Sequence, residues 1–133
     1  MATRQVVIDH LTVGVSDFER SRAFYAKALE PLGFSEIGSS SDPERGVAFG
    51  PEGADDFIIS ERYQAGGQLH IAFAADTREQ VDAFHEAAIA AGGRDNGAPG
   101  PRTEYSDGYY GAFVLDPDGH NVEAVCHEET GSA

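Results

Sequence analysis

Three side chains of this sequence have the chemistry to hold a divalent cation: His10, His70 and Glu123. Imidazole nitrogens and a carboxylate oxygen suit first-row divalent metals. Two of one and one of the other make a facial set with open coordination positions. Open positions are what a Lewis-acid catalyst requires. Glu123 lies in an apolar run with Val122, Ala124 and Val125. An ionised carboxylate is costly to bury there alone, and a cation removes that cost.

The histidines belong together because the segment around them is duplicated. Residues 10–33, HLTVGVSDFERSRAFYAKALEPLG, return without gaps at 70–93 as HIAFAADTREQVDAFHEAAIAAGG. His10/His70, Glu19/Glu79, Ala23/Ala83, Phe24/Phe84, Ala28/Ala88 and Gly33/Gly93 are identical, and others, such as Leu11/Ile71, Val13/Phe73 and Leu29/Ile89, exchange apolar for apolar. A repeated unit with a histidine at the same strand position in each copy directs both imidazoles to one locus. His85 at the edge of a helical stripe, His120 on a turn and His127 in the tail are expected to be structural or solvent-facing. Cys126 is off the Glu123 face and is not expected to be a ligand.

Each copy carries the elements needed to present these residues. Gln5 to Val15 alternates as a strand, with His10, Thr12 and Gly14 on one face and Leu11, Val13 and Val15 on the other. Ser16 with Glu19, and Asp76 with Glu79, read as capping arrangements, so a first helix is predicted to start at Asp17. Phe18, Tyr25, Leu29 and Leu32 form its stripe, which Pro31 and Gly33 end. Strands are predicted at 34–37, 46–49 and 56–60, separated by SSSDPERG and GPEGAD. Ala65-Gly66-Gly67 is the internal boundary. Beyond it come a strand at 68–75, a helix with Val81, Phe84, Ala88 and Ala91 inward, and a stop at Gly92-Gly93. Residues 94–106 read as loop with at most a short edge strand. Tyr109–Leu115 and Asn121–Cys126 then form a hairpin around the Asp116-Pro117-Asp118-Gly119 turn, and the tail is expected to fray.

The fold class is therefore α+β. One domain, residues 1–133, is built of two β-α-β-β-β modules, about 5–63 and 68–127, curving around a cavity. Composition narrows the function. A net charge of -14 disfavours nucleic acid and anionic membrane surfaces. No apolar run approaches a membrane span, and the single cysteine excludes an internal disulfide or a Cys-rich zinc site. A cytoplasmic protein is expected. The segment Arg102-Thr103-Glu104-Tyr105-Ser106-Asp107-Gly108-Tyr109-Tyr110 is the most unusual in the chain. Arg102, Tyr105, Tyr109 and Tyr110 are candidates to line the cavity mouth and hold a substrate oxygen. Packing of the aromatics on the sheet is the other reading.

The stretches IDHLTVGVSDFERSRAFYAKALEPLGF, QLHIAFAA and FVLDPDGHNVEAV resemble the vicinal oxygen chelate superfamily over roughly residues 5–127. Glyoxalase I, bleomycin and fosfomycin resistance proteins, methylmalonyl-CoA epimerase and extradiol dioxygenases belong to it. The resemblance implies His10, His70 and Glu123 as ligands of a divalent metal (Fe, Mn, Ni or Zn) and a small-molecule substrate, with the modules pairing within one chain or across a dimer. A homodimer is predicted because a partner most easily covers the exposed edges of two half-barrels. The catalytic residues stay open, with Glu123 and Tyr109 as candidates. Glyoxalase I uses a fourth ligand on the last strand of the first module. The duplication sets that position at about Ile59, where Phe57, Ile58 and Ile59 cannot ligate and Asp56 or Glu61 could only with a slip. A metal-dependent glyoxalase- or dioxygenase-type enzyme, without glyoxalase I activity itself, is the reading this implies. The alternatives are a metal-free binding protein of the bleomycin-resistance type or an extradiol-type dioxygenase.

Overall fold

The computed structural model describes residues 8–37, 46–66 and 68–127. In chain order they form β1 (Leu11–Gly14), α1 (Phe18–Ala28), a 3-10 turn (Glu30–Leu32), β2 (Ser35–Glu36), β3 (Gly46–Gly50) and β4 (Phe57–Ser60), then β5 (His70–Ala74), α2 (Arg78–Ala90), β6 (Arg94–Pro101), β7 (Tyr110–Leu115) and β8 (Asn121–Cys126). Residues 5–7 of the first predicted strand, most of the SSSDPERG loop, Arg45, Gly67 and the tail after His127 lie outside the described residues.

The two modules have the same topology. The first sheet runs β1-β4-β3-β2 and the second β5-β8-β7-β6. In each, the opening strand pairs parallel with the last, and the remaining pairs are antiparallel. The two sheets are separate four-stranded units, so β1 and β5 each remain an edge. Edge pairing of the two halves is therefore not made within the described chain.

One face of each sheet is turned to the helices, and both contribute to one core. Val13, Phe57 and Ile59 from the first sheet meet Phe24, Tyr25, Phe84, Val114 and Phe73 in a single buried cluster. The Phe57 and Phe73 rings, one from each module, lie edge to face at 5.2 Å. A polar seam reinforces the junction. Tyr25 Oη donates to Asp116 Oδ2 at 2.5 Å, and Ser16 donates through its backbone N–H and its hydroxyl to Asp118. Asp116, 5% exposed, also accepts from the N–H groups of Asp118 and His120. The DPDG turn thus joins the hairpin of module two to the first helix of module one.

Both helices start one residue later than the spacing predicts. The N-cap of α1 is Asp17, accepting from Arg20 N–H, because Ser16 is engaged with Asp118. In module two Thr77 is the cap and Gln80 closes the box, with Glu79 in the first turn. The predicted loop at 94–106 is instead largely the eight-residue strand β6, paired with β7 through two register shifts at its glycines. Edge strands tolerate Pro, Gly and bulges, which is why composition disguised it.

Candidate functional site

Strand alternation places the second faces of both sheets away from the core. On the second sheet this open face carries His70 and Ala72 from β5, Asn121 and Glu123 from β8, and Gly111 and Phe113 from β7. Ala72 lies opposite Glu123 and His70 opposite Asn121, so His70 and Glu123 are diagonal neighbours across a parallel pair. The small Ala72 leaves them room to meet. His70 Nε2 is 2.9 Å from Glu123 Oε1. The imidazole side chain is 55% exposed and the carboxylate 1%.

The second carboxylate oxygen, Oε2, accepts from the Tyr109 hydroxyl. Burial first, and then this hydrogen bond, hold the Tyr109 phenol protonated well above its ordinary range. Gly111 packs closely beside the contact: a Cβ there would lie 3.0 Å from Glu123 Oε2 and 3.3 Å from the Tyr109 ring, so a neighbour would have to give by a few tenths of an ångström. The buried carboxylate thus has a donor or imidazole on each oxygen, which offsets the cost of desolvating it. Tyr105 packs against Tyr109 at 5.0 Å between ring centroids, and His127 packs edge-on against it at 5.2 Å.

The first sheet's counterpart is different. His10 immediately precedes β1, its side chain 54% exposed, with Nδ1 2.9 Å from Asp9 Oδ1. That bond, aided by the charges of Asp9 and Asp55, raises its pKa. Thr12 occupies the position of Ala72 in the repeat and pairs with Ile58, as Ala72 pairs with Glu123. Ile58 is therefore the first module's counterpart of Glu123. This moves the fourth-ligand position one residue from Ile59, which is fully buried on the helix side. Glu61 accepts from the Phe18 N–H at the start of α1, and Asp56 is exposed with its carbonyl accepting from Leu11. Among the described residues no three His, Cys, Asp or Glu side chains are gathered as a metal site. The structure brings His70 and Glu123 together and leaves His10 with Asp9.

Of the tyrosine-rich segment, Tyr109 reaches Glu123, while Arg102 and Tyr105 line a depression beside it. Tyr110 is on the other side of the sheet, because alternation carries the next residue across. Its hydroxyl donates to Asp82 of α2, and Arg78 lies 4.8 Å over its ring. His85 pairs with Asp95, and His120 is buried, accepting from Leu69 N–H. Sequence reasoning missed Gly111, Phe113, Asn121 and the nearness of His127 to Tyr109. A usable signal existed: counting outward from the DPDG turn pairs Leu115 with Asn121 and Phe113 with Glu123.

The repeated module, with its two open faces of unequal content, is a scaffold that known proteins share. The family model described as the glyoxalase/bleomycin resistance protein/dioxygenase superfamily matches residues 7–124. The Bacillus subtilis protein YqjT is 32% identical over 122 residues, spanning 87% of this chain and 95% of its own. A glyoxalase/bleomycin resistance protein from Albidiferax ferrireducens is similar at TM-score 0.72 and 33% identity, over 89% of this chain and 96% of that one. A family enzyme from Burkholderia phytofirmans shares the fold at TM-score 0.67 and 24% identity, over 91% and 98% of the two chains. With the motifs, the paired modules and these matches in agreement, the chain belongs to the glyoxalase/bleomycin resistance protein/dioxygenase superfamily.

Proposed function

We propose that this protein is a metal-dependent enzyme of the glyoxalase/dioxygenase kind, acting on a small oxygen-bearing molecule at the His70–Glu123 face. The observation that carries the proposal is the 2.9 Å approach of His70 Nε2 to the buried Glu123 Oε1. Neighbouring ligands about 2.1 Å from one ion stand about 3 Å apart, so the pair fits a shared cation in place of a shared proton. Such an ion supplies Lewis acidity towards two adjacent substrate oxygens. Tyr109 fixes the Glu123 carboxylate by donating to Oε2, Gly111 packs closely beside that bond, and Tyr105 with His127 shields the phenol.

His70 and Glu123 are two of three ligands, and His10 of the same chain is engaged with Asp9. The proposal therefore includes a homodimer, with His10 of a second copy completing the set. Among the described residues no further strand pairs with the edges β1 and β5, and exposed Ile8, Leu11 and Leu69 stand at or just before their starts. An open edge flanked by apolar residues is a surface that a symmetric partner covers. Sedimentation at micromolar concentration should show the dimer, and a monomer would overturn this part. A cytoplasmic setting, testable by fractionation, completes the proposal. No helix among the described residues is long and apolar enough to cross a membrane.

A second reading, a metal-free binding protein, is favoured by one observation: Tyr109 and His70 already meet both Glu123 oxygens, and Ile58 offers no ligand. The two are separated by the melting temperature of wild type and Glu123→Gln with Mn²⁺, Fe²⁺, Ni²⁺ or Zn²⁺. Metal should stabilise the wild type, by about 2.7 kcal/mol at a hundredfold excess over Kd, and not the variant. Equal shifts, or none, would leave the binding-protein reading in place.

A further inference from the structure

Resting on the reading that the Glu123 face is the reactive one, we propose that the depression beside it is a recognition subsite. Its ligand class is a small, flat acid, with a carboxylate on an aromatic or unsaturated body. The cavity is about 400 Å³ and is lined by Asn96, Gly97, Arg102, Tyr105, Phe113 and Asn121. That volume lies within the range of small-molecule sites.

Arg102 defines the charge. Its Nη1 donates to the carbonyls of Gly100 and Pro101 at 2.9 and 3.3 Å, and its Nη2 to that of Ala98 at 2.7 Å. These neutral acceptors immobilise the guanidinium without cancelling its charge. In a chain of net charge -14, a fixed cation in a depression with no carboxylate in its lining selects an anion. It does so with little further ordering to be lost on binding. Tyr105, also in the lining, carries a hydroxyl that can donate.

Phe113 defines the shape. Its ring forms the apolar wall, with the Arg102 guanidinium carbon 5.4 Å from the ring centroid. Gly97 keeps the space open, since a Cβ there would fall 2.8 Å from the Phe113 ring and 3.4 Å from Arg102 Nη2. Asn96 Nδ2 donates to Asn121 Oδ1 at 3.2 Å, which ties β6 to β8 across the floor. A flat body against Phe113 is directed at the reactive pair. Phe113 pairs with Glu123 across the hairpin, Asn121 pairs with His70, and the His70 and Phe113 rings are 6.2 Å apart.

The test uses benzoate, its neutral isostere benzamide and the non-planar cyclohexanecarboxylate, titrated into metal-free full-length protein and followed by amide chemical shifts. Benzoate should shift Gly97, Phe113 and Asn121 and bind about tenfold more tightly than either other probe, the worth of one charge-assisted contact or of the planar fit. Arg102→Gln should lose that tenfold for benzoate and bring its affinity to that of benzamide. Should the variant fail to fold, the benzoate-benzamide ratio in wild type decides alone. Equal affinities, shifts mapping elsewhere or no benzoate binding would overturn the subsite. The metal melting experiment on the same wild-type protein separates the two proposals. Metal stabilisation without benzoate preference removes only the subsite, and benzoate preference without metal stabilisation removes only the metal.

Discussion

The two modules share a topology, a helix stripe and a histidine at the same repeat position, yet their open faces differ in content. Module two sets His70 against a buried carboxylate that Tyr109 holds from the other side. Module one has Ile58 where that carboxylate stands, and its histidine turns to the exposed Asp9. The helix-facing sides could not diverge this way, because Phe24, Phe57, Phe73 and Phe84 occupy one core and a change of volume there is felt by both halves. The open faces answer to no such constraint. The two modules thus pack alike on the helix side of each sheet and differ on the other.

The sharpest break of this comparison is a pair of deletions. His70→Ala leaves Glu123 Oε1 buried without its partner and should cost about 2 kcal/mol in urea denaturation at neutral pH. His10→Ala removes an exposed side chain and should leave the midpoint unchanged. Equal losses would mean that the two histidines occupy equivalent environments.

A second variant makes module one resemble module two. Ile58→Glu places a carboxylate at the counterpart of Glu123, on a half-buried position facing away from the core. If His10 and position 58 of one copy complete the site of another, metal affinity should rise about tenfold, or about 1.4 kcal/mol, by calorimetric titration. Unchanged affinity would place module one's face outside the metal site.

The smallest effect tests the seam that ties the modules together. Burial, followed by the nearby Asp116 charge and the hydrogen bond to it, holds the Tyr25 phenol well above its usual pKa of 10.0. The folded state therefore keeps a proton that the unfolded chain releases. Its stabilising contribution is complete below pH 10 and is lost as pH rises from there towards the folded-state value, at up to about 1.4 kcal/mol per unit. Tyr25→Phe should cost about 1 kcal/mol at neutral pH and should have a shallower stability loss above pH 10 than wild type. Tyr109 and Tyr110 are raised as well and remain in both proteins, so the difference isolates Tyr25. Parallel curves would remove the seam's titration from the account.

Much of this architecture was legible in the residues. The sixty-residue repeat and helical stripes, with the DPDG turn, set both modules, and the apolar run around Glu123 marked it as a buried charge needing partners. The cap of α1 falls one residue on because Ser16 has a better partner 102 residues away in Asp118, and that of α2 because Thr77 and Gln80 close a reciprocal box. β6 was hidden because Gly and Pro at an edge strand look the same as Gly and Pro in a loop.

What local pattern fixes is which face a side chain takes, since period-two alternation is a property of each strand alone. It cannot fix which faces meet. That His70 reaches Glu123, that Tyr109 rather than Tyr110 joins them beside Gly111, and that Arg102 is braced by the carbonyls of β6 all depend on register and on close packing at glycines. Those are decided by packing across strands distant in sequence, and the tertiary structure alone supplies them.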